Sequence, residues 1–184
     1  PEAAGPAAGA RKHTILIADD QRMNRLMLAE VFKDTYRILE ASNGKEALSI
    51  LRDESRSVSA VVLDLLMPVM DGLEVLTAMR DDVLMQSIPV VVVSAANEEE
   101  YSAKAIDLGA VDFVVKPIDS TLIRLRLRNA IMRRESENLR AQNRELLVQR
   151  ANEARHQQQL RYVAEHDSLT HIYNKSAFYR KTRA

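Results

Sequence analysis

Val61-Val62-Leu63-Asp64-Leu65-Leu66-Met67-Pro68-Val69-Met70-Asp71-Gly72 is an apolar run that ends in a carboxylate, followed by a loop marked by Pro68 and Gly72 and then by a helical pattern. A strand with one wet face would alternate apolar and polar residues, so the run up to Asp64 reads as a strand buried on both faces. Asp64 stands where that strand ends. In open α/β sheets this carboxyl edge is where ligands bind. A single aspartate there also suits a turn, whose backbone its side chain can cap, so the neighbouring strands have to decide between the two readings.

From His13 to about Ser120, short β-rich runs alternate with helical patterns. The runs are Thr14–Ala18, Tyr36–Glu40, Ala60–Asp64, Val90–Ser94 and Val111–Val115. Between them, Gln21–Lys33, Lys45–Arg52, Leu73–Arg80 and Glu98–Leu108 carry apolar residues at every third or fourth position. Five strands alternating with helices predict an α/β fold, a doubly wound parallel sheet covered on both faces. The punctuation agrees: Asn43-Gly44 and Gly72 precede helices, Pro89 precedes a strand, and Gly109 ends a helix.

Residues 1–12 are almost entirely Ala, Gly and Pro before two basic residues, and read as a disordered tail or expression remnant. From Asp119 to about His166 there is neither Pro nor Gly, which predicts one helix of up to ~70 Å at ~1.5 Å per residue. Leu125, Met132, Leu139 and Leu146 recur every seven residues, with Asn129 and Asn143 four residues after the first and third. An apolar heptad seam with occasional Asn is the pattern of a two-stranded coiled coil. Glu153 interrupts the seam before Leu160 restores it, so a stutter is expected there. The alternative is a long helix folded back on its own domain.

Lys plus Arg and Asp plus Glu both total 26, so no global charge points to nucleic acid or an anionic membrane. No apolar run approaches the ~20 residues of a membrane helix. The N-terminus has no secretory signal pattern. The absence of Cys excludes disulfides and thiolate metal sites. These readings fit a cytoplasmic chain.

The strand ends carry the chemistry. The first ends in Asp19-Asp20, the third in Asp64, the fourth in Ser94 and the fifth in Lys116. Three carboxylates on one rim would repel by ~4 kcal/mol per pair at ~4 Å and an effective dielectric near 20. Mg²⁺ removes that conflict and leaves a coordination position for a phosphoryl oxygen. Lys116 can neutralise a phosphoryl group and the Ser94 hydroxyl can hydrogen-bond it. A carboxylate nucleophile with a metal and donors, and no His, Ser or Cys dyad, suits phosphoryl transfer onto aspartate.

Residues 13 to about 130 resemble a response-regulator receiver domain, CheY-like in kind. The resemblance rests on Ile17-Ala18-Asp19-Asp20, Asp64 followed by Met67-Pro68 and Met70-Asp71-Gly72, Ser94-Ala95 and Lys116-Pro117. Their intervals are those of the family: 44 residues from Asp20 to Asp64, 30 from Asp64 to Ser94 and 52 from Asp64 to Lys116. The resemblance implies strand order 2-1-3-4-5, flavodoxin-like, with the receiver over 13–118. It makes Asp64 the phosphoacceptor, Asp20 and Asp64 direct Mg²⁺ ligands, Asp19 a ligand through water and the Leu66 carbonyl a main-chain ligand. Ser94 and Lys116 would contact the phosphoryl group, with a cis peptide at Lys116-Pro117. Phe113 matches the family's aromatic switch position, and would otherwise be an ordinary core phenylalanine. The implied partner is a sensor histidine kinase as phosphodonor.

The tail has a second resemblance. His166-Asp167-Ser168-Leu169-Thr170-His171-Ile172-Tyr173-Asn174-Lys175-Ser176-Ala177-Phe178 is similar to the opening of GGDEF diguanylate cyclase domains, with His171 in place of Gly and Lys175 in place of the usual Arg. The signature and GTP site of that family would lie beyond Ala184. The expected order is therefore a receiver, a dimerising coiled-coil helix over 119–166, and over 167–184 the start of a cyclic-di-GMP output domain. Such a fragment accepts phosphate without being an enzyme, while the longer protein would be a cyclase. Two other readings stay open. A haloacid-dehalogenase-type phosphohydrolase would need an Asp where Leu66 stands, and a pure protein-interaction module would leave the acidic site unused. No helix-turn-helix pattern supports DNA binding.

Overall fold

The structure is a computed structural model that describes residues 13–55, 57–95, 99–166, 172, 174, 175 and 178. Among the described residues ten elements follow in order: β1 Thr14–Ala18, α1 Arg22–Phe32, β2 Arg37–Ala41, α2 Gly44–Glu54, β3 Val58–Asp64, α3 Gly72–Arg80, β4 Val90–Ser94, α4 Glu99–Asp107, β5 Asp112–Val115 and α5 Ser120–Glu165. The five strands form one sheet in the order β2-β1-β3-β4-β5, and every neighbouring pair is parallel. The expected fold class is the one observed. β2 begins one residue later than the β-rich run suggests, since the Tyr36 N–H donates to the Phe32 carbonyl at 3.0 Å, in the turn after α1.

Burial explains why the central strands read as unbroken apolar runs. β1 and β4 are buried along their whole length and β3 nearly so, whereas edge strands β2 and β5 are partly exposed. Side chains alternate between two cores. Leu16, Val61, Leu63 and Val92 pack with Leu48, Leu51, Val75, Leu76 and Met79 of α2 and α3. Ile15, Ile17, Val62, Val91 and Val93 pack with Leu28 and Phe32 of α1 and Ile123, Leu127 and Ile131 of α5. Pairing of β3 with β1 skips Ser59, since Thr14 faces Val58 and Ile15 faces Ala60. This bulge reverses the alternation, and Val58 joins the first core although Ala60 joins the second. The Arg134 Nη1 group donates to the Val58 and Ser59 carbonyls, 2.9 and 3.3 Å away, at the bulge.

Helix starts follow local chemistry. Asn43 caps α2 by accepting from the Glu46 amide. Asp71 and Glu74 form a reciprocal capping box at α3, 2.8 and 2.9 Å. Gly109 ends the turn after α4 with φ +104°, a conformation that favours glycine.

The chain divides into two units between Glu135 and Ser136. In the first, α5 buries Ile123, Leu127, Ala130 and Ile131, which are one stripe of a helix. In the second, Leu139, Leu146, Leu147, Val148, Leu160 and Val163 are all exposed. The helix end there is closed by Asn174, whose side chain donates to the Ala164 carbonyl at 2.7 Å and whose backbone N–H donates to the Glu165 carbonyl at 2.8 Å. The rings of Tyr162 and His166 stack 4.0 Å apart beside it. Asp167 to Thr170, the core of the second resemblance, lies outside the described residues.

Candidate functional site at the carboxyl edge of the sheet

β1, β3, β4 and β5 end on one rim, and the acidic residues meet where the strand order reverses between β1 and β3. Asp19, Asp20 and Asp64 each bring a carboxylate oxygen within 4.8 Å of the others. Asp19 and Asp64 are buried, Asp20 exposed. The Lys116 ammonium reaches across from the end of β5 to Asp64 Oδ2 at 2.6 Å and Asp19 Oδ2 at 3.2 Å. Its backbone N–H donates to the Ser94 carbonyl at 2.7 Å, which ties the ends of β4 and β5 together. The peptide from Lys116 to Pro117 is cis. Ser94 is buried at the end of β4.

Two glycines bring the following loop in close. A Cβ on Gly72 would stand 2.5 Å from the Asp64 carbonyl oxygen and 2.8 Å from the Leu65 Cα, so only glycine lets α3 start directly against the end of β3. Gly44 likewise lies against the Met70 carbonyl, to which its N–H donates at 3.1 Å. Leu66 sits in this loop with a half-exposed side chain. Val69 has φ +70°, left-handed backbone that a β-branched residue rarely adopts.

The electrostatics are those of an overcrowded anionic site. Burial pushes the Asp64 carboxyl up from 3.8 to about 6, Lys116 opposes the rise and Asp19 adds to it. Lys116 is depressed by its own burial, but Asp64 and Asp19 together outweigh this and hold its ammonium above the usual range. Lys116 bonds two of the three carboxylates, Asp64 and Asp19. Three carboxylates within 4.8 Å of one another are the hard oxygen donors that fit Mg²⁺.

The expected residues Asp19, Asp20, Asp64 and Lys116 come together, and Ser94 joins them through its main chain. Phe113 does not touch the acidic group in any hydrogen bond described. It lies on edge strand β5 with 42% of its surface exposed, so it is not the ordinary core residue it could have been. Two residues escaped the sequence reading. Asn24 donates from Nδ2 to both Asp19 oxygens at 3.1 and 3.0 Å, and Arg25 donates from Nη1 to the Asp19 and Asp20 carbonyls at 2.7 and 3.2 Å. Their one visible signal is position, four and five residues past Asp20 in the first turns of α1.

A family model described as the response regulator receiver domain matches residues 15–128. Among curated proteins, the chain is 32% identical over 123 residues to histidine kinase P4 of Formosa agariphila, covering 67% of this chain and 9% of that protein. It is also 32% identical over 123 residues to the transcriptional regulatory protein SrrA of Staphylococcus aureus, covering 66% of this chain and 49% of that protein. The chain thus spans half or less of the length of these relatives. Among solved structures it is similar to a sensor protein from Polaromonas, at 28% identity and TM-score 0.61 over 67% of this chain and 99% of the other. It is similar as well to a chain of the CheX–CheY–BeF3–Mg²⁺ complex from Borrelia burgdorferi, at 27% identity and TM-score 0.59 over 63% and 87%. No described helix is long and apolar enough to cross a membrane.

Proposed function

We propose that this chain, which belongs to the response regulator receiver domain family, takes a phosphoryl group on Asp64 from a sensor histidine kinase. The reading is carried by one observation: three carboxylates from two strand ends gather within 4.8 Å, with the Lys116 ammonium 2.6 Å from the central one. In the transfer, an Asp64 carboxylate oxygen attacks phosphorus, a P–O bond forms, and the P–N bond to the donor imidazole breaks, leaving the imidazole with the electron pair. Asp20, Asp64 and the Leu66 carbonyl would hold Mg²⁺, and Asp19 would hold it through water. When bound, the ion supplies charge neutralisation for the incoming phosphoryl oxygens. Lys116 exchanges its hold on the carboxylate for a phosphoryl oxygen, and the Ser94 hydroxyl donates to a second. Leu66 stands where a hydrolase of the dehalogenase type needs a second acid, so the acyl phosphate should turn over slowly. Phe113, exposed on β5 three residues before Lys116, is the residue proposed to change environment on phosphorylation.

We further infer that the signal passes along α5, which would pair with a second copy as a coiled coil, to a cyclic-di-GMP output domain opening near Asp167. The exposed Leu125, Met132, Leu139 and Leu146 support this, as does Asn174, which stands at the motif's required offset and closes the helix end. The test of the core reading is intact-mass analysis after acetyl phosphate and Mg²⁺. One phosphoryl adduct is expected on the chain and none on Asp64→Asn, and equal adducts on both would refute the assignment.

A further inference from the structure

Asn24 and Arg25 touch the acidic group from outside it. Asn24 spans both oxygens of Asp19, while the Gln21 N–H donates to Asp19 Oδ1 at 2.8 Å and Lys116 takes Oδ2. Asp19 is therefore held on both oxygens by protein donors. Arg25 does something different. Its guanidinium, with only 15% of the side chain exposed, spends one nitrogen on the main-chain carbonyls of Asp19 and Asp20 and another on Glu40 of β2, at 3.3 Å. No carboxylate oxygen of the cluster is used up. The positive charge stays beside Asp19 and Asp20 through their main-chain oxygens, and no described hydrogen bond ties it to the Asp20 carboxylate.

We propose that Asn24 and Arg25 are positioning residues for the ion-binding edge: Asn24 fixes the Asp19 carboxylate, and Arg25, anchored on Glu40, fixes the main chain that carries Asp20. Asp20 is exposed at the end of a strand, held from behind by the Asp19 N–H to the Ala41 carbonyl at 3.2 Å and by Arg25. Without the guanidinium, ordering this loop would fall to the ion itself and weaken its binding. Partners behind metal ligands commonly set affinity by about 10- to 100-fold. The planar fork of Arg also holds two acceptors at once, which a lysine ammonium does with less geometric control. This inference rests on the reading of the acidic cluster as a Mg²⁺ site.

The test is Mg²⁺ titration by calorimetry of the full chain and of Asn24→Ala, Arg25→Ala and Arg25→Lys, each checked for native far-UV ellipticity. Both alanine variants are expected to raise the Mg²⁺ dissociation constant about tenfold, with Arg25→Lys recovering part of the loss. In phosphorylation by acetyl phosphate, the half-saturating Mg²⁺ concentration should rise by the same factor, while the rate at saturating Mg²⁺ stays within about threefold. A merely structural role would not divide the two in this way. If the original chain binds Mg²⁺ and the variants match it within about twofold, or if Lys does no better than Ala, the positioning role is overturned while the site stands. If the original chain binds no Mg²⁺, the reading of the site fails first. Should Arg25→Ala not fold, Asn24→Ala and Arg25→Lys decide by the same criteria.

Discussion

The receiver body and the part of α5 beyond Ser136 make opposite use of similar residues. In the body, Leu127 and Ile131 are buried against sheet residues far away in sequence. Beyond Ser136, Leu139, Leu146 and Leu160 are exposed, and the described hydrogen bonds there, such as Asn174 to Ala164 or Arg161 to Glu165, join near neighbours. In the body the decisive polar contacts span the chain: Lys116 to Asp64 and to Asp19 cross 52 and 97 residues. An apolar residue stabilises by what it removes from water. Leucines of one helix can thus be core in one stretch and exposed in another.

The sharpest way to break this comparison is a pair of truncations on α5. Leu127→Ala should cost about 3 kcal/mol in urea unfolding, because it leaves a cavity in a packed core. Leu139→Ala should change receiver unfolding by less than about 0.5 kcal/mol, yet shift the mass in sedimentation equilibrium toward monomer if the seam pairs as proposed. Equal destabilisation by the two would show that the seam is already covered within one chain.

A second prediction concerns charge. Because burial raises the Asp64 carboxyl from 3.8 to about 6, the folded protein holds this proton more tightly than the unfolded chain. Its contribution to stability is complete below about pH 4 and is lost as pH rises through about 6. Without Mg²⁺, chemical denaturation should therefore show the fold losing on the order of 2 kcal/mol from this group between those limits. Asp64→Asn should flatten the dependence and stabilise the protein at pH 7.5 by a similar amount. A pH profile that is the same in both proteins would contradict the raised carboxyl.

A smaller effect than that of Asp64 is expected at Val69. Left-handed backbone costs a residue with a Cβ roughly 1–2 kcal/mol, and glycine gives back part of that relief as chain entropy. With its side chain exposed and φ at +70°, Val69→Gly should raise the thermal midpoint slightly, by less than about 1 kcal/mol in stability. A lowered midpoint would mean that the Val69 side chain contributes contacts that outweigh its backbone strain.

Most of the fold was legible because each strand and helix advertises its period: β3 from Ala60 to Leu63 and β4 from Val90 to Val93 are unbroken apolar runs since both faces are covered, and Asn43 and Gly109 mark boundaries with a local hydrogen bond or a left-handed turn. The site was legible as strand ends, since parallel strands must all finish on one rim. Asn24 and Arg25 were not legible, because an Asn-Arg pair in a first helical turn looks like any solvated face until β1, β2 and α1 are brought together. Nor was the bulge at Ser59, which alters no composition and shows itself only as a skipped pairing.

By itself, then, the sequence determined the order of elements, the two-sided burial of the central sheet and which residues stand at the carboxyl rim, since these depend on local periodicity and on the geometry common to parallel sheets. Tertiary structure alone decided that Lys116 bonds Asp64 and Asp19, that Arg25 grips the chain behind Asp20, and that Phe113 faces outward. Those outcomes depend on distances of a few ångströms between segments far apart in the chain, and no local pattern encodes such distances.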